Sequence, residues 1–424
     1  MAYGRRIGAD RRSLVLAALS TVVEWYDFTL FLYMATVLSR VFFPGGGTQD
    51  AVLNTLLGFA LAYLMRPVGA LVFGHFGDRR GRRATLLASM GLMTVAMLLT
   101  ALLPTVTQIG PMAGALLLGL RCVMGFAVGG EYTGVVAYLL EGAPAHRRGL
   151  VTSMAAATSE AGGLLAAALS ALTVTTLPGL QLDSWGWRIP FLIGAVLACL
   201  ILLARAAMVE SPEFAAHQRA GTLPRSPLAH CVKYHRAGVM RGFAISALGS
   251  ITYYVGITYV PVFLTSSGNL KEAEALQLAI VAAVAVIVVT PFVGLLCDNV
   301  GRRPVLIGLA LLSATAPSFL FGLMANGGVE AVLASAVLLA LLAGGISAVG
   351  AVATAEQIPA EGRLSGLALG ATTATALFGG LTPWLAQKLI TQTGMTAVPG
   401  MMIAGVALCV VPMLFMTPET RIKA

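Results

Sequence analysis

Long apolar runs alternate with short polar breaks along the whole chain. Runs of spanning length occupy about 14–38, 51–74, 84–103, 110–139, 149–175, 188–207, 240–266, 274–297, 304–324, 328–355, 364–390 and 397–416. About 20 helical residues cross a bilayer's hydrocarbon core, so the pattern predicts about twelve transmembrane helices. The runs are continuously apolar and show no period of two, which argues against a transmembrane β-barrel. The longest polar interval, Val209 to about Met240, holds Pro212, Gly221, Pro224 and Pro227 and divides six spans from six. The expected organisation is a six-helix bundle over 1–208, a linker over 209–239 and a second six-helix bundle over 240–424.

Composition strengthens this picture. The 424 residues are 58% hydrophobic and 11% charged, against about 25% charged in an average soluble domain, so an ordinary soluble enzyme is excluded. The net charge of +9 comes from Arg/Lys clusters at 5–12, 79–83, 147–148, 205–241, 302–303, 363 and 421–423, each after an even number of spans. These are topology signals and not a nucleic-acid surface; the positive-inside rule places both termini and the linker in the cytoplasm. Arg5, Arg6, Arg11 and Arg12 mimic the start of a signal peptide, but the following apolar run carries Glu24 and Asp27 and lacks a small-residue cleavage site, so it is expected to stay as the first span. Five scattered cysteines give no disulfide or metal spacing. No phosphate-binding GKT or GKS pattern is present, which argues against ATP-driven transport, and no metal or cofactor is expected.

The two halves repeat. GHFGDRRGRR at 74–83 recurs as LLCDNVGRRP at 295–304, with Asp78, Gly81, Arg82 and Arg83 each 220 residues before Asp298, Gly301, Arg302 and Arg303. Glu141, Pro144 and Arg148 recur 215 residues later as Glu356, Pro359 and Arg363. A weaker echo links ESPEF at 210–214 with PET at 418–420. Together these imply two homologous bundles.

The duplicated Asp-(Arg)-x-Gly-Arg-Arg cluster resembles the signature of the major facilitator superfamily. EWYDF at 24–28, FFP at 42–44, RPVGALVFGHFGDRRGRR at 66–83, RCVMGFAVGGEY at 121–132, WGWRIPF at 185–191 and FGGLTP at 378–383 resemble its metabolite:proton symporter family. That resemblance implies an all-α membrane protein of two pseudo-symmetric bundles, alternating access around a midplane site, and uptake of an organic acid or zwitterion with protons. Three positions depart from the family pattern: Asn299 stands for an Arg, Ala371-Thr372 for a Tyr-Asn or Tyr-Ser, and Glu160 for a Gln.

A charge at bilayer depth is costly unless paired or hydrated, which singles out Glu24, Asp27, Arg121, Glu131 and Glu160 as proton-coupling candidates. Glu24 and Asp27, spaced i, i+3, share one face of span one. The resemblance implies that Asp27 and Arg121 form an Asp–Arg coupling pair: with Arg withdrawn, burial favours the protonated acid. The bland alternative for these charges is an ion pair serving assembly. Substrate-contact candidates are Arg66, just before the helix-kinking Pro67, and Tyr253, Tyr254 and Tyr259 in span seven, with snorkelling and aromatic packing as the structural alternatives. Trp185, Trp187 and Arg188 are expected as interfacial anchors.

A gate is expected from Gly74, Asp78, Arg79, Arg82 and Arg83 and from Asp298, Arg302 and Arg303 at helix ends, with Glu141, Arg148, Glu356 and Arg363 as partners. The alternative is that these charges serve the positive-inside bias alone.

The leading expectation is a monomeric, multi-pass inner-membrane symporter whose partners are a small polar substrate, protons and lipid. The runner-up is a proton-driven antiporter exporting a drug or secreted metabolite. The Gly-Pro pattern of drug antiporters is absent from span five, which reads Ser159-Glu160-Ala161-Gly162-Gly163, and this favours uptake.

Overall fold

The computed structural model describes residues 11–43, 48–80, 82–129, 145–206, 233–267, 270–358 and 363–421 and the isolated positions 136, 140, 143 and 229; within them, the side chains of 11–20, 48–49, 74–80, 82–86 and 363–364 stay outside the description. Twelve helical segments succeed one another among the described residues. The first half supplies α1 (Arg11–Tyr33, continued as Ala35–Phe42), α2 (Thr48–Arg80), α3 (Arg82–Leu102), α4 (Met112–Ala127), α5 (Arg148–Thr176) and α6 (Arg188–Ala206). The second supplies α7 (Arg236–Tyr253 through Val260–Ser266), α8 (Glu272–Val300), α9 (Arg302–Asn326), α10 (Val329–Glu356), α11 (Arg363–Leu367 through Leu381–Thr393) and α12 (Val398–Met416).

Seven of these, and an eighth bent by 44°, are long and apolar enough to cross a membrane among the described residues. Their outer faces carry large apolar side chains such as Leu203, Phe292, Phe319 and Leu338. Such a surface is stable against lipid and not against water. The protein is an all-α membrane protein of two six-helix bundles.

Three expected spans are less regular than their apolar runs. In α7 the Tyr259 amide donates to the Tyr254 carbonyl five residues back at 2.9 Å, and Pro261 follows with no amide proton to give. The result is a π-helical turn over Tyr254–Thr258 and the 44° bend. Two further π turns, Ala368–Thr372 and Ala376–Gly380, interrupt α11. In span four the described helix ends at Ala127, and Val128 and Gly129 form a turn.

Glycines bring the helices into contact. A Cβ on Gly125 would lie 1.7 Å from the Ala62 carbonyl oxygen, and one on Gly69 would lie 1.9 Å from that of Phe126, so α2 and α4 meet backbone to backbone. The segment around Gly125 thus serves helix packing, as its apolar setting predicts. Between the bundles, α5 and α8 make the most extensive helix–helix contact. There the Gly149 position faces Cys297 Sγ and Gly294 faces Ser153 Oγ, at 2.5 and 2.4 Å from a hypothetical Cβ.

Candidate functional site

A cavity of about 150 Å³ lies between the bundles. The first bundle lines it with Glu24 and Trp25 from α1, Arg66 from α2, Val128 after α4, and Ser159 and Glu160 from α5. The second contributes Ser250, Tyr253 and Tyr254 from α7, Ser347 and Thr354 from α10, and Ala371 and Thr372 from α11. Small and hydroxyl-bearing residues dominate the second wall; the charges sit on the first.

Two ion pairs radiate from α1. Arg66 Nη2 donates to Glu24 Oε1 at 2.9 Å at the cavity wall, and its guanidinium lies over the Phe28 and Tyr63 rings at 4.2 and 4.3 Å. One turn further along α1, Arg121 Nη1 donates to Asp27 Oδ2 at 2.9 Å, and Arg121 Nη2 donates to Thr100 Oγ1 at 3.0 Å. Asp27 is 0% and Arg121 1% exposed, and neither is among the residues lining the cavity. The i, i+3 spacing of Glu24 and Asp27 therefore gives one pair that faces the cavity and one sealed behind it. Asp27 Oδ1 is buried without a hydrogen-bond donor, leaving an acceptor in reserve.

Glu160 differs from both. Its Oε2 accepts a hydrogen bond from the Tyr253 hydroxyl at 2.7 Å, which crosses from α5 to α7. Its Oε1 is buried with no hydrogen-bond partner. Tyr254 pairs with Tyr63 of α2, hydroxyl to hydroxyl at 2.6 Å. Trp25 stacks on Tyr254 at 6.2 Å between ring centroids and meets Tyr253 edge-on at 5.4 Å. The ring pair is seated by α11: a Cβ on Gly379 would come within 2.6 Å of Tyr254 and one on Gly380 within 2.1 Å of Tyr63. Tyr259 stands apart from this group, donating to Gln387 Oε1 at 2.6 Å, and does not line the cavity.

Contacts between the bundles recur at each end of the helices. At the end where α6 finishes and α7 begins, the linker face, Asp298 accepts the backbone N–H groups of Gly149 and Leu150 at 2.8 and 2.9 Å and pairs with Arg302 at 3.1 Å. A carboxylate of α8 thereby caps the first turn of α5 in the other bundle, where free amides and the helix dipole favour an anion. Arg302 also reaches Glu356 of α10 at 3.2 Å. Glu419, just after α12, accepts the Arg302, Arg303 and Arg421 amides and so caps α9. Gly301 has φ +124°, a conformation that disfavours a side chain, and a Cβ there would lie 2.7 Å from Glu419 Oε2. Partial burial pushes the Glu419 carboxyl up, but the three N–H donors and the Arg302 charge outweigh it and hold it below its ordinary value.

At the far face, Arg40 closes an unexpected triad. It contacts Asp183 at 3.0 Å within the first bundle and also pairs with Glu272 at the start of α8 in the second. Sequence analysis does not single out Arg40; its position outside the basic clusters is the one signal that marks it. Trp25 and Tyr63 were likewise missed, though each lies beside a charged candidate.

Several expected residues fall outside the description: Glu131 and Glu141 entirely, Gly81 entirely, and the side chains of Asp78, Arg79, Arg82, Arg83 and Arg363, with Gly74 among the same positions. One expectation is corrected. Trp187 is 0% exposed and packs edge-on against Phe42 and Phe191 at 5.1 and 6.1 Å, so it is a core residue and not an interfacial anchor. A wide apolar ring at a helix start serves either environment, and sequence does not distinguish them. Trp185, 49% exposed, keeps a surface position.

Comparison with known proteins agrees with this architecture. Residues 13–229 match the family model described as Sugar (and other) transporter, and residues 269–424 match that of the Major Facilitator Superfamily. The chain is 34% identical to the ectoine/proline transporter of Corynebacterium glutamicum, covering 94% of this chain and 82% of that one. It is 32% identical to the citrate-proton symporter of Klebsiella pneumoniae, covering 96% and 91%. The fold also matches the xylose transporter XylE of E. coli in a partially occluded inward open conformation, with TM-score 0.76, 20% identity and coverage of 98% and 99%. By its sequence, its duplicated bundles and these relatives, the chain belongs to the major facilitator superfamily, in its metabolite:proton symporter family.

Proposed function

We propose that the protein is a proton-coupled symporter that imports a small polar metabolite by alternating access, with the linker face and both termini in the cytoplasm of an inner-membrane protein acting as a monomer. The reading divides the chain into bundles at 1–208 and 240–424 with a linker over 209–239, and it assigns the proton as coupling ion with no bound cofactor. Relatives named for proline, ectoine and citrate support the substrate size and the proton.

The observation that carries the reading is the pair of ion pairs on α1. Glu24–Arg66 lines the cavity, and Asp27–Arg121 lies one helical turn behind it, out of reach of the cavity. A substrate that engages Arg66 or Glu24 alters the position of α1 and with it the Asp27–Arg121 contact. An Asp parted from its Arg in a dry interior is favoured to take a proton, because the ionised form loses both its partner and its solvation. Protonation removes a buried charge before the bundles rock. Asp298 with Gly149 and Leu150, and Arg40 with Glu272, are the contacts that must break and re-form on opposite faces.

The test uses protein reconstituted in liposomes with labelled proline, glycine betaine and citrate. A pH gradient, acid outside, should drive accumulation of at least one of them. The antiporter reading predicts the opposite direction, with substrate extruded as protons enter.

A further inference from the structure

We propose that Glu160 is the substrate-selecting residue and that it binds an ammonium group, so the carried metabolite is a zwitterion or a cation and not a simple carboxylic acid. The inference rests on the carrier reading above and adds the chemistry of its cargo. The described charges lining the cavity are Glu24, Glu160 and Arg66. Glu24 and Arg66 neutralise each other at 2.9 Å. Glu160 has no ion pair among the described residues, and its single hydrogen bond comes from a neutral phenol. Its second oxygen, Oε1, is buried and takes no hydrogen bond.

The ionised form of a carboxyl in that state has no partner among the described residues of the cavity, and a cation entering the cavity supplies one. The walls suit such a cation. Trp25, Tyr253 and Tyr254 line the cavity and touch one another, Tyr253 being the group bonded to Glu160. Aromatic faces attract an alkylated ammonium and offer nothing specific to an anion. Ser250, Ser347 and Thr372, on the same bundle as Tyr253 and Tyr254, supply hydroxyls. A dicarboxylate would bring two negative charges to a lining whose described residues offer no cation beyond Arg66, itself paired with Glu24. Because the Tyr253–Glu160 bond joins α5 to α7, a substrate that takes over Glu160 also loosens a link between the bundles.

The probe pair is glycine betaine and 3,3-dimethylbutyrate, which match in shape and carboxylate and differ in one nitrogen, hence in one positive charge. Choline and citrate serve as the cation and the polyanion. Binding is followed on purified full-length protein by calorimetry, and transport by uptake into proteoliposomes. Glycine betaine or choline should bind at least tenfold more tightly than 3,3-dimethylbutyrate, and Glu160→Gln should erase that preference while keeping the protein folded. Glu160→Asp, which keeps the charge, should retain part of it. The proposal is overturned if the carbon isostere binds as well as the ammonium compounds, if Glu160→Gln keeps the preference, or if no ammonium probe binds. Gradient-driven uptake of citrate without binding of any ammonium probe would overturn it and leave the carrier reading intact. Absence of gradient-driven uptake of every compound, with ammonium binding retained, would support Glu160 and count against the carrier.

Discussion

Asp27 and Arg121 are sealed together, and breaking one side of a buried pair costs about 3–5 kcal/mol. Arg121→Gln should therefore lower thermal stability in detergent strongly at neutral pH. Adding Asp27→Asn should restore part of it, since the stranded carboxylate is gone; a double variant less stable than the single would contradict the pairing. Gly125→Ala should lower stability by about 1–3 kcal/mol through overpacking, because the new methyl meets the Ala62 backbone. Gly119→Ala, in the same helix with nothing within 4 Å, should be neutral or stabilising. Glu419 gives a pH signature. Its carboxyl lies below its ordinary value, so its contribution is complete above about pH 5, past the unfolded value near 4.3, and disappears as pH falls through the folded one. The stability gap between wild type and Glu419→Gln should stay constant from pH 8 to 5 and close on further acidification. The charged candidates were legible in sequence because a charge inside an apolar run needs a reason. Their partners were not legible: nothing in the spacing links Arg66 to Glu24, 42 positions away, or Glu160 to Tyr253, 93 positions away.

The helices, as elements, follow the hydropathy pattern closely in number and poorly in shape. Apolar run length reports how much chain must avoid water, and that fixes the count of spans. It is silent on the π turns of α7 and α11, for which no apolar run length carries a signal. These irregular stretches place Tyr254 and Thr372 at the cavity and Gly379 and Gly380 against the rings of Tyr254 and Tyr63, so the least predictable helices carry part of the contact between bundles. The α1–α8 bridge at the far face allows a test on this scale. Arg40→Gln removes the contacts to Asp183 and Glu272; a partly exposed pair is worth at most about 1 kcal/mol, or roughly a fivefold population change. Labelling of a cysteine at Ser250, in a background without native cysteines, by an impermeant thiol reagent from the far side should rise by about two- to fivefold. High salt should shrink the difference by screening the pairs in the parent. Unchanged labelling would show that Arg40 does not hold that face closed.

On the scale of the whole molecule, the duplication is visible in sequence as two copies of one cluster 220 residues apart, and the structure adds what the second copy contacts. The second copy does not merely mark topology: Asp298 caps α5 of the other bundle, and Glu419 and Glu356 hold Arg302 in place beside it. The motif is thus a joint between bundles, which a one-dimensional pattern cannot express because the capped helix lies about 150 residues earlier. In the proposed mechanism proton and substrate are coupled through Asp27, behind a cavity that Asp27 does not line. The direct measurement compares wild type with Asp27→Asn in proteoliposomes, reading accumulation under an inward proton gradient and exchange at equal pH in one preparation. The account predicts that the variant loses accumulation above the equilibrium level and keeps exchange within about an order of magnitude of wild type; should the single variant not fold, Asp27→Asn with Arg121→Gln is read the same way. Full gradient-driven accumulation by either variant would contradict it.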